Sequence, residues 1–537
     1  MGKSCKTMLF AAAVCLFPAF IAAEDTDFPQ SEFVASISSN IPDLRPHRAY
    51  NADEAQILTA IYEGLFVYDP YSMDPQPALA ETWSVSPDGL EWVFTIRDTA
   101  MFSDGTAITA QTVRDSWINL LDPRISAPYA SMFDSISGAY AYRSGELSDR
   151  DKIGITAVDN RTLRVALTSP AEHLPKILCH HAFSIVHPAD FSRVTESKPD
   201  QFVLPISSGP FVIESFTADE ILLKKNPRYW DADNVSLPSL KILISDDAES
   251  ITARFNRGEI HWVSGAVLAN RVIDPASIKI TPMFSTEYFF FRGTWGPWAT
   301  SEVRNALLLS VPWNALRANY LIPAKTLVFP ISGYPELTGI EQHNPEEAAK
   351  LLEKAGLTDF ASIPVLVIRI PETDHFSGMA ELLKSAWEAL GFTVRIEAIP
   401  YVEYYSSLRS DDYAVGVTSW IGDFADPLAF LEMFRPASSL NDSGWQNREY
   451  EQIITDASAQ KSPLRRYEKL AEAEKLLLDN AVILPLSHNP SLNVIDTNGL
   501  EGWYANALDI HPFKFIKFVQ KQALPGVALA PAMRYGL

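Results

Sequence analysis

Cysteine is scarce in this chain, with Cys5, Cys15 and Cys179 the only three among 537 residues. If the first two leave with an N-terminal leader, one thiol remains and no internal disulfide can form. The chain must then be held by its core, and a chain of this length has core enough. Basic residues are also short: 44 Lys and Arg face 66 Asp and Glu, for a net charge of −22. That balance excludes nucleic acid as a partner, because phosphates require a basic face. Long apolar runs are missing after residue 23, and none reaches the roughly 18 residues of a membrane span. Phosphate loops, dinucleotide fingerprints, nucleophile elbows and HExxH motifs are absent as well. No catalytic residue, cofactor or metal is therefore expected, and an enzyme has no positive support. Internal repeats and low-complexity blocks are lacking.

What is present describes a large, well-cored protein, with 47% hydrophobic, 20% charged and 11% aromatic residues. Lys3 and Lys6 precede an apolar run over residues 8–23, which ends in small residues before Glu24. This reads as a secretory signal peptide cleaved after Ala23, which leaves an exported mature chain. A retained membrane anchor and lipid attachment at Cys15 are the alternatives.

Strand and helix signals alternate along the chain. Trp92, Phe94 and Ile96 share one face of a strand over 91–97. Thr109 caps a helix running to about Leu121. In the second half, Asn344-Pro345-Glu346-Glu347 is an N-cap, a first-turn proline and two acids at the positive end of a helix that Gly356 stops. Strands over 364–370, 394–398, 413–420 and 482–486 alternate with helices over 379–390, from Asp426-Pro427 to Phe434, and over 462–479. This rhythm predicts an α/β domain. Residues 519–537 lack periodicity and read as a tail. Cys179-His180-His181, with His173 and His187 nearby, is the one ligand-like cluster. Its spacing fits no zinc pattern, and adjacent histidines on a strand would point to opposite faces. Asp246-Asp247 and Asp411-Asp412 read as solvated turn acids.

Several short motifs occur in a telling order: Tyr62-Glu63-Gly64-Leu65-Phe66, then Pro77-Ala78-Leu79-Ala80-Glu81-Thr82-Trp83, Ser86-Pro87-Asp88-Gly89 and Phe102-Ser103-Asp104-Gly105-Thr106. Ser208-Gly209-Pro210-Phe211, Asn226-Pro227-Arg228-Tyr229-Trp230, Asn344-Pro345, Ser419-Trp420-Ile421-Gly422-Asp423-Phe424-Ala425-Asp426-Pro427 and Ile483-Leu484-Pro485-Leu486 follow. Together, over residues 31–518, they resemble the oligopeptide- and dipeptide-binding proteins that serve ABC importers, solute-binding protein family 5.

The resemblance implies an α/β, bilobal periplasmic-binding-protein fold with two hinged lobes and an additional smaller domain in the first lobe. Lobe one would comprise 24–63, 188–285 and 485–537, the additional domain 64–187, and lobe two 286–484. The function implied is capture of short peptides, as a monomer, and delivery to an inner-membrane ABC permease and its ATPase subunits. By the same resemblance Asp423 would take the peptide ammonium, while Asp426 reads as a helix N-cap. Backbone groups of Ser419 and Ile421 would pair with the ligand as an added strand, and Trp420 would cover the site. Tyr50, Asn51 and Ala52 match the family's facing strand segment, and Tyr129 a cleft tyrosine. His375 and Arg292 are possible carboxylate-binding residues. Relatives that fix the peptide C-terminus with Lys or Arg have Leu308 and Val417 here, and Ser487-His488-Asn489 replaces a cleft aromatic. The same fold could instead hold a metal chelate, haem or an oligosaccharide. An exported metal-dependent hydrolase using the histidine cluster is the rival of another class.

Overall fold

The computed structural model describes residues 32–38, 42–192, 203–422, 424, 426–438, 440–460 and 462–519. The expected leader with Cys5 and Cys15, residue Asp423 and residues 520–537 of the tail lie outside that set.

The chain is α/β and bilobal. A seven-stranded sheet runs in the order Ile278–Pro282, Pro490–Ile495, Trp262–Ser264, Phe33–Ile37, Ser239–Ile244, Glu220–Lys225, Phe211–Phe216. Phe33–Ile37 lies parallel to both neighbours, and all five of its residues are buried. A fully buried parallel strand needs such an apolar run. A five-stranded sheet follows the order Val394–Ile399, Leu366–Pro371, Val415–Ile421, Ser285–Phe291, Ile483–Ser487. Its first two strands are parallel, joined by the crossover helix Asp374–Ala389. The smaller additional unit is antiparallel, in the order Ala80–Val85, Glu91–Ile96, Thr162–Ala166, Ile155–Ala157. Trp92, Phe94 and Ile96 are its buried face.

Local signals place the helices. Asn344 Oδ1 accepts the Glu347 N–H at 3.1 Å, and Gly356 ends that helix at φ +80°. Thr109 caps Ala110–Leu120 through the Thr112 N–H. Two expectations change. His180 and His181 lie not on a strand but at the start of the short 3₁₀ turn His181–Phe183, so their rings sit together, with centroids 4.1 Å apart. Asp411 and Asp412 are exposed but not merely solvated, for they pair with Arg292 at 2.6 Å and Arg369 at 2.8 Å.

Two short links join the large sheets. Met283–Phe284 leads from Ile278–Pro282 into Ser285–Phe291, and His488–Asn489 leads from Ile483–Ser487 into Pro490–Ile495. They run side by side. Met283 N–H and Ser285 Oγ both donate to the Asn489 carbonyl, at 3.2 and 3.1 Å, and His488 Nδ1 lies 3.2 Å from the Ser285 carbonyl. A pair of two-residue connections at strand ends is a place where a few dihedral changes can swing one sheet against the other.

Candidate ligand-binding cleft

The cleft lies beyond the C-terminal end of Val415–Ile421. Leu366–Pro371 and Val394–Ile399 end on the same edge, and the antiparallel Ser285–Phe291 begins there, opposite Ile421. Open α/β sheets bind ligands outside such an edge. Gly422 N–H donates to the Phe284 carbonyl at 2.8 Å. In an antiparallel ladder this bonding alternates, so Trp420 and Thr418 turn their backbones toward Ser285–Phe291. Ser419 and Ile421 therefore turn theirs the other way. Val417, of the same parity, is met on that side by the Tyr404 hydroxyl, which lies 2.8 Å from its N–H and 2.7 Å from its carbonyl. Beyond Val415, strand Leu366–Pro371 no longer pairs with this strand among the described residues. The result is a short strand edge at Ser419 and Ile421, open where the lobes meet.

Aromatic rings close around that edge. Trp420 is buried, its Nε1 donating to the Ala429 carbonyl at 3.0 Å. The Tyr50 ring lies 6.2 Å from Trp420, 6.1 Å from Tyr129 and 6.2 Å from Tyr405. The Tyr129 hydroxyl points at the Tyr50 carbonyl, 3.5 Å away. Tyr50, Tyr129 and Trp420, residues named from sequence on three separate segments, are thus brought together. Tyr405, on the helix Tyr401–Ser407, was not anticipated, although Tyr401 and Tyr405 at i, i+4 share one helix face.

The segment at Tyr50, Asn51 and Ala52 differs from the expected strand. Ala52 opens the helix Ala52–Ile61, with Asn51 at its N-cap. Glu54 Oε2 accepts the backbone N–H groups of Tyr50 and Asn51, at 2.7 and 2.9 Å. A carboxylate three residues into a helix reaches back to these donors. They are spent on the turn, so this wall offers side chains and carbonyls in place of a ladder.

Asp426 has a larger part than a cap. It accepts the Leu428 N–H at 3.0 Å and forms a two-pronged pair with Arg466, at 2.7 and 2.9 Å. Burial alone would raise its pKa, but the guanidinium holds it below the ordinary value.

His375 and Arg292 are far apart on the lobe. His375 stands at the cleft edge, half exposed, with Nε2 3.1 Å from the Tyr320 hydroxyl and 3.5 Å from Glu287 Oε1. Its hydrogen bond to Glu287 raises its pKa. Arg292 follows the other end of Ser285–Phe291, six residues and roughly 20 Å along the strand from Thr286. Its guanidinium binds Asp411 and the Asp442 carbonyl. Leu308 and Val417 are core residues. His488 is buried, with Nδ1 2.9 Å from Thr286 Oγ1, and Asn489 reaches from the hinge to Ser419 Oγ at 3.1 Å.

The histidine cluster underlies the cleft. Tyr129 packs on His180 and His181, with centroids at 4.4 and 5.7 Å. His47 also belongs here: Asn119 Nδ2 lies 3.1 Å from its Nδ1. Burial lowers His47 and His180 to about 3, and lowers His181 well below its ordinary value. The Cys179 thiol is pushed up by burial. Among the described residues, no group of three His, Cys, Asp or Glu is placed to hold a metal ion. Nor is any helix among them long and apolar enough to cross a membrane.

Two hinged lobes, an open strand edge between them and aromatic walls define a solute-binding protein that encloses its ligand. The model of the bacterial extracellular solute-binding proteins, family 5 (middle region), matches residues 74–442, and the chain belongs to this family. It is 27% identical over 461 residues to the dipeptide-binding protein DppE of Bacillus subtilis, covering 82% of this chain and 83% of the relative. It is also 27% identical over 506 residues to the probable deoxycholate-binding periplasmic protein YgiS of Escherichia coli, covering 90% and 93%. The solved structure of the Escherichia coli murein tripeptide binding protein MppA matches with a TM-score of 0.80 at 26% identity, covering 92% of this chain and 99% of that one. The unliganded open form of MppA, covering 92% and 98% at the same identity, matches at 0.65. The lobes here are therefore disposed less like that open form.

Proposed function

We propose that this chain is an exported carrier, not a catalyst, that captures short peptides between its lobes and hands them to an inner-membrane ABC permease with its ATPase subunits. It works in the periplasm as a monomer, after removal of the leader. The observation that carries this reading is the strand edge at Ser419 and Ile421, which suits an extended backbone and is indifferent to its side chains. Trp420, Tyr129, Tyr50 and Tyr405 would sandwich the ligand, and Asp423, two residues past the edge, would take its ammonium. Several relatives are named for peptides, among them DppE and MppA. The division we adopt follows the expected one except at the hinge, where Ser285–Phe291 and Ile483–Ser487 belong whole to the five-stranded sheet: lobe one at 24–63, 188–284 and 488–537, the additional domain at 64–187 and lobe two at 285–487. His375, at the cleft edge, is a better candidate than Arg292 for a ligand carboxylate, because Arg292 follows the far end of Ser285–Phe291.

A second reading has a specific source: the relative named as deoxycholate-binding covers as much of the chain as the peptide binders do. Native mass spectrometry of freshly purified protein separates the two. Co-purified masses that fragment as peptides are expected. A single non-peptide mass, such as a bile acid, would overturn the peptide assignment.

A further inference from the structure

A cavity of about 890 Å³ opens beside the aromatic walls, between the Arg48–Asn51 turn, the additional domain and the helix Tyr401–Ser407. In a chain with a net charge of −22, its wall carries three arginines, Arg48, Arg143 and Arg409, against two aspartates, Asp122 and Asp442. Most of these charges are already spent. Arg124 grips Asp122 at 2.9 and 2.5 Å. Arg143 is held by Asp134 at 2.6 Å and by the Ala437 carbonyl at 2.7 Å. Asp442 lies 3.8 Å from Arg409, and its carbonyl binds Arg292. Arg48 differs from all of these. It is exposed to the cavity, and it makes no ion pair or side-chain hydrogen bond among the described residues. It sits on lobe one, two residues before Tyr50, whereas Arg409 belongs to lobe two.

We propose that this cavity receives a carboxylate of the bound ligand, held by the Arg48 guanidinium with the Arg409 charge on the facing wall. An unspent guanidinium lining a cavity between two lobes is a ready carboxylate receptor, because its planar donors match two oxygens at once. A carboxylate held from both lobes would also favour the closed state, since it interacts more strongly there than in an open one. The inference rests on the carrier reading and adds to it a selectivity: acidic ligands are preferred at one position. The carboxylate could come from an Asp or Glu side chain or from the peptide C-terminus.

The test is calorimetry on the mature protein at about pH 7 with alanine tri-, tetra- and pentapeptides. Glu or Gln is placed at each position in turn, and each peptide is made as free acid and as C-terminal amide. One position should bind Glu about 10- to 100-fold more tightly than Gln if a side chain fills the cavity. If the C-terminus fills it, the same loss appears on amidation. In either case Arg48→Gln should abolish that preference and Arg409→Gln should reduce it, with the neutral peptide bound as before. If peptides bind but Glu equals Gln everywhere and amide equals acid, the carboxylate site is refuted and the carrier reading stands. The site is also refuted if Arg48→Gln leaves the preference whole. If no peptide binds at all, it is the carrier reading that fails.

Discussion

Replacing Asp426 with Asn tests what anchors the start of the helix Leu428–Leu431. The Asp426 side chain is 6% exposed and that of Arg466 12%, and the two meet through paired hydrogen bonds of 2.7 and 2.9 Å. Asn has nearly the same shape and keeps an oxygen for the Leu428 N–H. What it cannot supply is the countercharge, so Arg466 becomes a buried, unpaired cation. Removing one partner of such a pair costs about 3–5 kcal/mol. The residual exposure of Arg466 argues for the lower end, about 3 kcal/mol, which lowers the Tm of a unit of 150–250 residues by about 6–12 °C. The pH dependence follows from the depressed pKa of Asp426. Its stabilisation is fully present above the unfolded value of about 4 and is lost as pH falls through the folded value. The gap between wild type and Asp426→Asn should therefore narrow in acid. Scanning calorimetry at pH 7 and near pH 3 measures both effects. Adding Arg466→Met to the Asn variant should recover part of the loss, because the stranded charge is then gone. A variant within about 0.5 kcal/mol of wild type at pH 7, or a deficit that does not change with pH, would refute the reasoning.

Glu474 gives an opposite pH signature. It accepts the Leu327 and Val328 N–H groups and the Tyr334 hydroxyl, each at 2.8 Å, and burial pushes it up to about 7. A raised folded pKa means stability that is full below about pH 4 and lost as pH rises to about 7. Glu474→Gln should remove that slope in urea unfolding at pH 5 and pH 8, and an unchanged slope counts against it. The double change His180→Ala and His181→Ala undermines Tyr129 and should weaken peptide binding by about 1 kcal/mol, roughly fivefold. Calorimetry showing unaltered affinity would make the histidines bystanders. Peptide should also shrink the radius of gyration in X-ray scattering, through bending at Met283–Phe284 and His488–Asn489. Superimposable curves with and without saturating peptide would exclude a closing hinge.

The sequence was most informative where structure is local. Asn344 and Gly356 bracket their helix because a cap and a left-handed stop act within one turn. Trp92, Phe94 and Ile96 alternate because one face of their sheet is buried and the other wet. The motif around Trp420 was legible as a family pattern, and it led to the strand edge. Partners chosen by the fold left no such mark. Arg466 is 40 residues from Asp426, and nothing in the Asp426-Pro427 turn announces a countercharge. Arg48 and Arg409 share a cavity because two lobes approach, a relation that no periodicity records. Tyr50 to Ala52 was expected as a strand, but Glu54 binds the backbone N–H groups of the first two and turns the chain into a helix. The adjacent histidines failed as a strand reading for a related reason: in a 3₁₀ turn neighbouring side chains need not diverge.

We propose that Asp423, two residues after Ile421 in the sequence, takes a peptide's ammonium. Calorimetry on wild type and Asp423→Asn, each with a free and an N-acetylated copy of one peptide, tests it directly. An ammonium enclosed away from water needs an ionised partner, and losing one costs about 3–5 kcal/mol, roughly 10²- to 10³-fold in affinity. The account predicts that loss on acetylation, the same loss in Asp423→Asn, and little further loss when the two are combined, because both break one interaction. Equal affinity for free and acetylated peptide in the wild type, or full affinity in Asp423→Asn, would contradict it.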